Sequence, residues 1–277
     1  MSTESRNPRS FGLDRMSAQE IVRLMNEEEY TVLRALTAVE EPLARAAERV
    51  AHTFQAGGRT ILVGSGTSGR IAVMEAAEMP ATFGVGADRF VALVSGGPEA
   101  IGVAVDDAED DEYSAVTGLN DLALTPRDLV IGLTAGGRTP FAVAAVCHAK
   151  QKGIFTCGIA NTKTGSLLRD ADLAIFLDTG PEVLTGSTRL KAATAQKLAL
   201  DQITTAAMVL SGKVVENLMV DVHATSQKLK ERCARIVRDL SSATFDESLE
   251  VLAENGWNVR RTLEALERQG LATVRAK

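Results

Sequence analysis

The chain has 277 residues, of which 45% are hydrophobic and 24% are charged, and its formal net charge is -6. This length and composition are sufficient to bury a core and exclude a chain that is mostly disordered. The negative charge, with no basic stripe, excludes nucleic acid as the main partner, so an anionic ligand needs a local site.

The first segment, residues 1–56, is predicted to be helical. Ser17 and Glu20 have the spacing of a capping box, and Ile21 and Leu24 begin an apolar pattern with helical spacing. The pattern predicts two helices before residue 56.

The central segment, residues 57–212, alternates short apolar runs with helical patterns. The runs predicted to be buried strands are Thr60–Gly64, Phe90–Ser95, Leu129–Thr134, Phe155–Ile159 and Leu173–Leu177. This alternation predicts an α/β fold with a doubly wound, mostly parallel sheet covered by helices on both faces. A long helix is predicted from about Ser187 to Leu210.

The last segment, residues 213–277, changes to short amphipathic helices. Two of them are predicted at Asp246–Glu254 and Val259–Arg268, with a break at Asn255 and Gly256 between them. We interpret this segment as a small C-terminal helical subdomain.

Three turns rich in glycine and hydroxyl groups are candidate phosphate sites. Gly64–Arg70 and Ala135–Pro140 each link a predicted strand to a helix, and Thr185–Thr188 precedes the long helix, with Lys191 nearby. Glycines let the backbone approach an anion, and helix N-termini offer free N–H groups. The first turn lacks the Gly-Lys-Ser/Thr of a P-loop and the spacing of a dinucleotide fingerprint, which favours a phosphosugar. The alternative for a single such loop is a tight turn without function.

Two carboxylates are candidates for acid–base chemistry. Glu78 is predicted near the end of the helix after the first loop, where the helix dipole and partial burial would favour a protonated carboxyl that donates to a leaving group. Position alone leaves open that Glu78 is an ordinary surface residue. Glu109 belongs to the acidic run Asp106–Glu112, whose alternative role is that of a solvated helix end, and its pattern does not separate it from its neighbours.

The remaining features concern the compartment. Cys147, Cys157 and Cys233 are odd in number and widely spaced, which indicates neither a disulfide framework nor a zinc site. No apolar run approaches the roughly 18 residues of a membrane span, and residues 1–15 lack the apolar core of a signal peptide. We therefore expect a cytoplasmic protein without a membrane partner.

At these loops the chain resembles the N-acetylmuramic acid 6-phosphate etherases, which belong to the sugar-isomerase-domain (SIS) superfamily and are related to the glucokinase regulatory proteins. The matching segments are Thr3–Pro8, Leu13-Asp14, Gly64–Gly84, Ala108–Asp110, Gly137–Pro140, Pro181–Lys191 and Asn217–Asp221. The resemblance covers roughly the first 240 residues, and this combination is far more specific than one glycine-rich loop.

The resemblance implies a lyase that removes D-lactate from a phosphorylated amino sugar, with Glu78 as general acid and Glu109 as base. It also implies a homodimer, and the chemistry requires no metal or other cofactor. The substrate- and phosphate-binding residues implied by the loops and the resemblance are Ser65, Gly66, Thr67, Ser68, Arg70, Gly136, Gly137, Arg138, Thr139, Glu182, Thr185, Ser187, Thr188 and Lys191.

The chain departs from the family pattern at several positions. The family commonly has Ser where this chain has Gly136, Cys-Pro-Pro at Met79–Ala81, and Gly at Ala193. Gly136 removes a hydroxyl from the second loop. Two other functions stay open: an aldose–ketose phosphosugar isomerase, which also needs a base beside an aldehyde, and a regulatory protein that binds a sugar phosphate and needs neither carboxylate.

Overall fold

Two helices open the fold, α1 (Ala18–Thr37) and α2 (Glu40–Gln55), as the sequence predicts. The capping box is confirmed, because the Ser17 hydroxyl accepts a hydrogen bond from the Glu20 backbone N–H and the Glu20 carboxylate accepts one from the Ser17 N–H. Gly57 follows α2 with a φ of 79°, a left-handed conformation that stops the helix.

The computed structural model describes residues 3–222, 224 and 226–272. The chain forms two units, Met1–Ala76 with Asp88–Ala206, and Ala77–Ala87 with Ala207–Lys277. The division predicted from the sequence, with boundaries at residues 56 and 212, stays a prediction. No helix within the described ranges is long and apolar enough to cross a membrane.

Five parallel strands form the sheet of the first unit, in the order β2-β1-β3-β4-β5. The strands are β1 (Thr60–Gly64), β2 (Phe90–Val94), β3 (Leu129–Thr134), β4 (Phe155–Ala160) and β5 (Leu173–Phe176). Each lies within one residue of its predicted bounds. Their continuous apolar composition is typical of strands that are buried on both faces.

Helices connect these strands and flank the sheet. They are α3 (Gly66–Phe83), α4 (Glu99–Gly102), α5 (Glu112–Asp121), α6 (Pro140–Gln151), α7 (Ser166–Asp170) and α8 (Lys191–Leu210), with 3-10 turns at Pro8–Ser10, Leu13–Arg15 and Ala108–Asp110. The predicted long helix is confirmed as α8 and ends at Leu210 as expected, but it begins at Lys191, four residues after the predicted start near Ser187.

Both faces of the sheet are covered. On one face, Ile61, Val63 and Val130 pack with residues of α5, α6 and α7, including Phe141 and Leu167. The alternate residues Leu62, Ile131 and Leu133 point to the opposite face and are also fully buried. The predicted doubly wound α/β fold is confirmed.

The second unit has its own core. Its elements are a short hairpin of β6 (Val214–Val215) and β7 (Leu218–Met219), and the helices α9 (Gln227–Asp239), α10 (Phe245–Glu254) and α11 (Val259–Arg268). Buried Cys233, Val237, Leu252 and Leu263 pack between the helices. The two short helices predicted at the C-terminus are confirmed.

Candidate active site

The candidate site lies at the carboxyl edge of the parallel sheet. Strand β1 is bordered by β2 on one side and β3 on the other, and the register pairs Gly64 with both Val94 and Leu133. The chain turns one way from β1 to β2 and the other way to β3, so the gap between β1 and β3 is a topological switch point, where open α/β sheets bind ligands. The first two glycine-rich loops follow β1 and β3 and therefore begin side by side.

The first loop passes from β1 into the N-terminus of α3 with almost no space between them. A Cβ added at Gly64 would lie 2.9 Å from the backbone N of Gly69, and one added at Gly69 would lie 2.7 Å from the Gly64 carbonyl oxygen. These glycines thus have a packing role. The N–H of Gly69 donates to the Ser65 carbonyl, which leaves the N–H groups of Gly66, Thr67 and Ser68 without intrahelical acceptors.

Ser65 supplies the clearest unsatisfied group of this loop. Its Oγ is buried and has no hydrogen-bond partner among residues 3–222, 224 and 226–272. A buried hydroxyl without a partner costs free energy, and an anion at the loop would accept its hydrogen bond. The first loop therefore has the donors that a phosphate requires.

The second loop is held by a pair of glycines. Gly137 has a φ of 71° and packs so closely on Gly165 that a Cβ at Gly137 would lie 2.9 Å from the Gly165 Cα. At the base of the loop the hydroxyls of Thr134 and Thr139 are 2.7 Å apart. Arg138 is exposed, and within the described residues its guanidinium donates to Thr164 Oγ1 alone, at 3.5 Å. Arg138 is therefore available for an anion.

Gly136 has a different environment from Gly137. No atom in the described part of the chain lies within 4 Å of a Cβ built at Gly136, and its φ is not positive. The backbone at this position thus accommodates a side chain, and packing does not require the glycine.

The third segment was predicted to open the long helix. In the structure it forms turns that precede the helix. The Ser187 N–H donates to the Leu184 carbonyl, and the Leu190 N–H donates to the Ser187 carbonyl. Thr185 is exposed and the side chains of Ser187 and Thr188 are partly exposed. Their hydroxyls are available to a ligand.

Glu182 has a structural position that the sequence does not reveal. It is fully buried, and its carboxylate accepts hydrogen bonds from the backbone N–H groups of Lys191 and Ala192, so it caps the first turn of α8. Burial raises the pKa of Glu182, while these N–H donors and the charge of Lys191 oppose the shift. Its role is to fix the turns between Glu182 and α8.

Lys191, predicted beside the phosphate, is turned inward. Its ammonium lies 2.5 Å from Glu28 Oε2, and Asn7 donates to the same oxygen at 2.8 Å while Arg9 binds the other one. Burial alone would raise the pKa of Glu28, but the hydrogen bonds and charges of these three donors outweigh it and hold the pKa below its usual value. Asn7 also donates to the Pro181 carbonyl, so the cluster anchors the third segment.

Arg70, also predicted to bind phosphate, is occupied by backbone carbonyls. Its Nε donates to the Ile101 carbonyl at 3.0 Å and a terminal nitrogen donates to the Val103 carbonyl at 3.1 Å. Both carbonyls lie at the C-terminal end of α4, where a cation is favourable. The guanidinium thereby links the start of α3 to the segment after β2.

Glu109 lies in the 3-10 turn Ala108–Asp110 and is exposed. The residues just before it form one wall of a cavity of about 450 Å³ beside the end of β2, lined by Leu93, Val94, Gly96, Gly97, Val105, Asp106, Asp107, Ala108, Asp111, Ser114 and Phe141. Asp111 accepts a hydrogen bond from the Ser114 N–H and so caps α5. This structural role distinguishes Asp111 from Glu109. Glu109 thus stands at the edge of a mostly apolar cavity.

Glu78 lies on α3, in the part of that helix that belongs to the second unit. The prediction of partial burial is wrong for the single chain, because Glu78 is exposed. The helix also does not end beside it, since Pro80 lies inside α3, which continues to Phe83. The side chain is open to solvent and to a ligand.

A buried carboxylate on α3, Glu75, was not predicted. It is 7% exposed, accepts a hydrogen bond from the Thr204 hydroxyl at 2.5 Å, and faces Asp201, which is itself paired with Lys197. Burial, together with the negative charge of Asp201, raises the pKa of Glu75 to about 7, although the Thr204 hydrogen bond opposes the shift. Glu75 therefore takes up a proton near neutral pH.

The sequence analysis missed the buried carboxylates Glu28 and Glu75, although their spacing from apolar residues on the same helix could have revealed both. Glu28 lies on the buried stripe of α1 with Leu24 and Val32, and Glu75 lies four residues after buried Ile71. A carboxylate in phase with an apolar stripe indicates a buried partner.

Comparisons with known proteins place the chain among sugar-phosphate proteins. Residues 42–150 match the glucokinase regulatory protein N-terminal SIS domain, and residues 111–206 match the SIS domain. An N-acetylmuramic acid 6-phosphate etherase of Lactobacillus acidophilus is 44% identical over 92% of this chain and 86% of its own length. A Geobacillus protein of the same name is 47% identical over 86% of this chain and 81% of its own.

The fold is also similar to that of a solved phosphoheptose isomerase from Francisella tularensis. The TM-score is 0.52 and the identity 17%, over 70% of this chain and 98% of that one. At this identity the similarity concerns the fold alone, and it agrees with the predicted SIS-type architecture.

Proposed function

The chain belongs to the N-acetylmuramic acid 6-phosphate etherase family, and we propose that it is a carbon–oxygen lyase acting on this sugar. It cleaves the D-lactyl ether by elimination and water addition, giving N-acetylglucosamine 6-phosphate and D-lactate, in the recycling of cell-wall sugars. The observation that carries the proposal is the 44% and 47% identity, over most of the chain, to relatives with this name.

The two adjacent loops at the switch point are proposed to bind the 6-phosphate. The free N–H groups at the start of α3, the unpartnered Ser65 hydroxyl, and Arg138 with Thr139 supply donors from both sides. Hydrogen bonds to a charged group each contribute roughly 1.5–3 kcal/mol, so several together hold a dianion without a lysine.

The remaining predicted binding residues divide into two groups. Thr185, Ser187 and Thr188 present accessible hydroxyls and are proposed to contact the sugar. Glu182 and Lys191 are both buried; the first binds backbone N–H groups of α8 and the second is paired with Glu28, so they act indirectly, by holding the turns that carry those hydroxyls.

The chemistry assigned to the carboxylates follows from the substrate. Glu109 removes the proton at C2 of the opened sugar, which the neighbouring aldehyde acidifies. Glu78 donates a proton to the ether oxygen as the C3–O bond breaks, since an alkoxide is a poor leaving group. Water then adds its hydroxyl to C3 and a proton to C2 of the unsaturated aldehyde. The first step is an elimination and the second an addition of water, both assisted by proton transfer, so neither requires a redox cofactor.

Assembly and compartment belong to the same proposal. The family resemblance favours a homodimer, and a solution mass of one chain would contradict it. The three cysteines are unpaired in the structure, which supports a reducing, cytoplasmic location.

Lactate release from N-acetylmuramic acid 6-phosphate tests the function directly. We expect the wild-type protein to form one lactate per sugar consumed, and Glu78→Gln to fold and bind substrate with little release. A folded wild-type protein that binds the sugar phosphate without releasing lactate contradicts the lyase assignment.

A second candidate is a regulatory protein that binds a sugar phosphate. The match of residues 42–150 to a glucokinase regulatory protein domain favours it. In that case sugar-phosphate binding would be unaffected by neutralising Glu78 and Glu109 together, and no turnover would be found.

A further inference from the structure

We propose that Arg70 is a positioning residue, which holds the segment carrying Glu109, and that it is not a ligand of the phosphate. This inference rests on the proposed function for the role of Glu109. It concerns the link between the first loop and the wall of the 450 Å³ cavity.

The first argument is the hydrogen bonding of the guanidinium. Arg70 uses Nε and a terminal nitrogen on two different carbonyls, Ile101 and Val103, at 3.0 and 3.1 Å. A planar guanidinium presents donors in a fixed geometry, so a contact with two carbonyls fixes both the distance and the orientation of the segment. Moving Arg70 to a phosphate would break both bonds.

The second argument is the exposure of the segment between β2 and the turn Ala108–Asp110, which is held at Val105 by Gly96 and at the turn by α6. Residues 101–107 are exposed, including the apolar Ile101, Val103 and Val105. Asp107 adopts a φ of 55°, a conformation uncommon for a residue other than glycine. Arg70 adds an attachment at Ile101 and Val103, the part of the segment before those contacts, and so limits the conformations open to it.

The third argument is what the attached segment carries. Val105, Asp106, Asp107 and Ala108 line the cavity, and Glu109 follows directly. Arg70 stands just after the first loop, so it couples the loop proposed to bind phosphate to the proposed base. A base misplaced by about 1 Å costs as much as 10²-fold in rate, so this coupling affects turnover more than substrate affinity.

The chain contains a matched control for this contact. Arg89 also donates to two backbone carbonyls, those of Gly58 and Phe54, at 3.1 and 2.7 Å. It lies just before β2, at the amino edge of the sheet and opposite the candidate site. Arg89 variants lose a similar pair of hydrogen bonds without touching the segment that carries Glu109.

The experiment compares Arg70→Gln and Arg70→Lys with Arg89→Gln and Arg89→Lys. Lactate release gives kcat and KM, inhibition by inorganic phosphate gives a Ki for the anion, and urea unfolding shows that each variant folds. We expect both Arg70 variants to lower kcat roughly 10- to 100-fold with an unchanged phosphate Ki. The Arg89 variants should retain the wild-type kcat.

Two kinetic results would overturn the proposal. A phosphate Ki that rises tenfold or more in Arg70→Gln, while Arg70→Lys keeps the wild-type value, identifies a phosphate ligand. Equal kcat values in the Arg70 and Arg89 variants identify a purely structural contact.

Hydrogen exchange keeps the test independent of the proposed function. If the wild-type protein releases no lactate, the lyase assignment fails, and the exchange of backbone amides in residues 101–111 still tests the attachment. Faster exchange there in Arg70→Gln, and not in Arg89→Gln, supports positioning. Unchanged exchange refutes it.

Discussion

The ammonium of Lys191 lies 2.5 Å from the carboxylate of Glu28, and the two side chains are only 3% and 6% exposed. The sequence places this lysine beside a turn expected to bind phosphate, whereas the fold uses it as an internal counter-ion between α1 and the start of α8. The charge that holds the third segment is therefore separate from the groups that would meet a substrate.

Breaking this pair should destabilise the protein strongly. Lys191→Met leaves the Glu28 carboxylate buried without its main partner, which costs about 3–5 kcal/mol. The measurement is the free energy of unfolding in urea. The exposed pair Arg45–Glu41 is the control, since removing Arg45 should change stability by less than about 1 kcal/mol. Equal losses for both variants would show that Lys191 is not the counter-ion described.

Glu75 should make stability depend on pH. Its pKa is about 7 in the folded chain and near 4.5 when unfolded, so between these values the folded state keeps a proton that the unfolded state loses. The stabilisation of the folded state by this proton is fully present below pH 4.5 and is lost as the pH rises through 7. Glu75→Gln has no titrating group at this position. Its free energy of unfolding, relative to that of the wild type, should therefore rise by about 2 kcal/mol between pH 5 and pH 8.

Unfolding in urea at pH 5, 6, 7 and 8 checks this prediction. Glu48→Gln, an exposed change on α2, serves as the control and should leave the pH profile unaltered. A constant difference between Glu75→Gln and the wild type at all four pH values would refute the prediction.

Glu109 should be distinguishable from its acidic neighbour by kinetics. Glu109→Gln removes the proposed base and should lower kcat by at least about 10²-fold, the lower range for one acid–base group. Asp110→Asn changes an adjacent, equally exposed carboxylate and should retain turnover near that of the wild type. Lactate release measures both, and a similar loss in the two variants would point to the charge of the whole run.

The two neighbouring glycines of the second loop should respond in opposite ways. A Cβ at Gly136 has no atom of the described structure within 4 Å, so Gly136→Ser should leave stability unchanged, while its hydroxyl can add a hydrogen bond of about 1.5–3 kcal/mol to phosphate. That gain lowers the Ki for inorganic phosphate roughly tenfold or more. An unchanged Ki in the folded variant would place the anion away from this loop.

Gly137→Ser is the matched variant of that pair. It puts a side chain at a φ of 71° and against Gly165, so it should destabilise the protein by about 1–3 kcal/mol or more. Thermal unfolding of both variants tests the contrast, and a Gly137→Ser protein as stable as the wild type would contradict the packing described here.

The sequence by itself determined the α/β architecture, the five strands within one residue, the capping boundary at Ser17 and the glycine-rich loops. These follow from local periodicity and turn chemistry, which each short stretch carries within itself. The family was also recognisable from sequence, because its motifs are stretches of adjacent residues.

The contacts of the charged side chains depend on the tertiary fold. Lys191 meets Glu28 across 163 positions of the chain, Arg70 reaches carbonyls 31 and 33 positions away, and Glu182 caps a helix that begins nine residues later. Burial and long-range pairing are properties of the folded chain, because they depend on which elements pack together. For this reason the sequence predicted the loops of the proposed site, and the fold separates the buried residues that support those loops from the residues whose side chains are accessible.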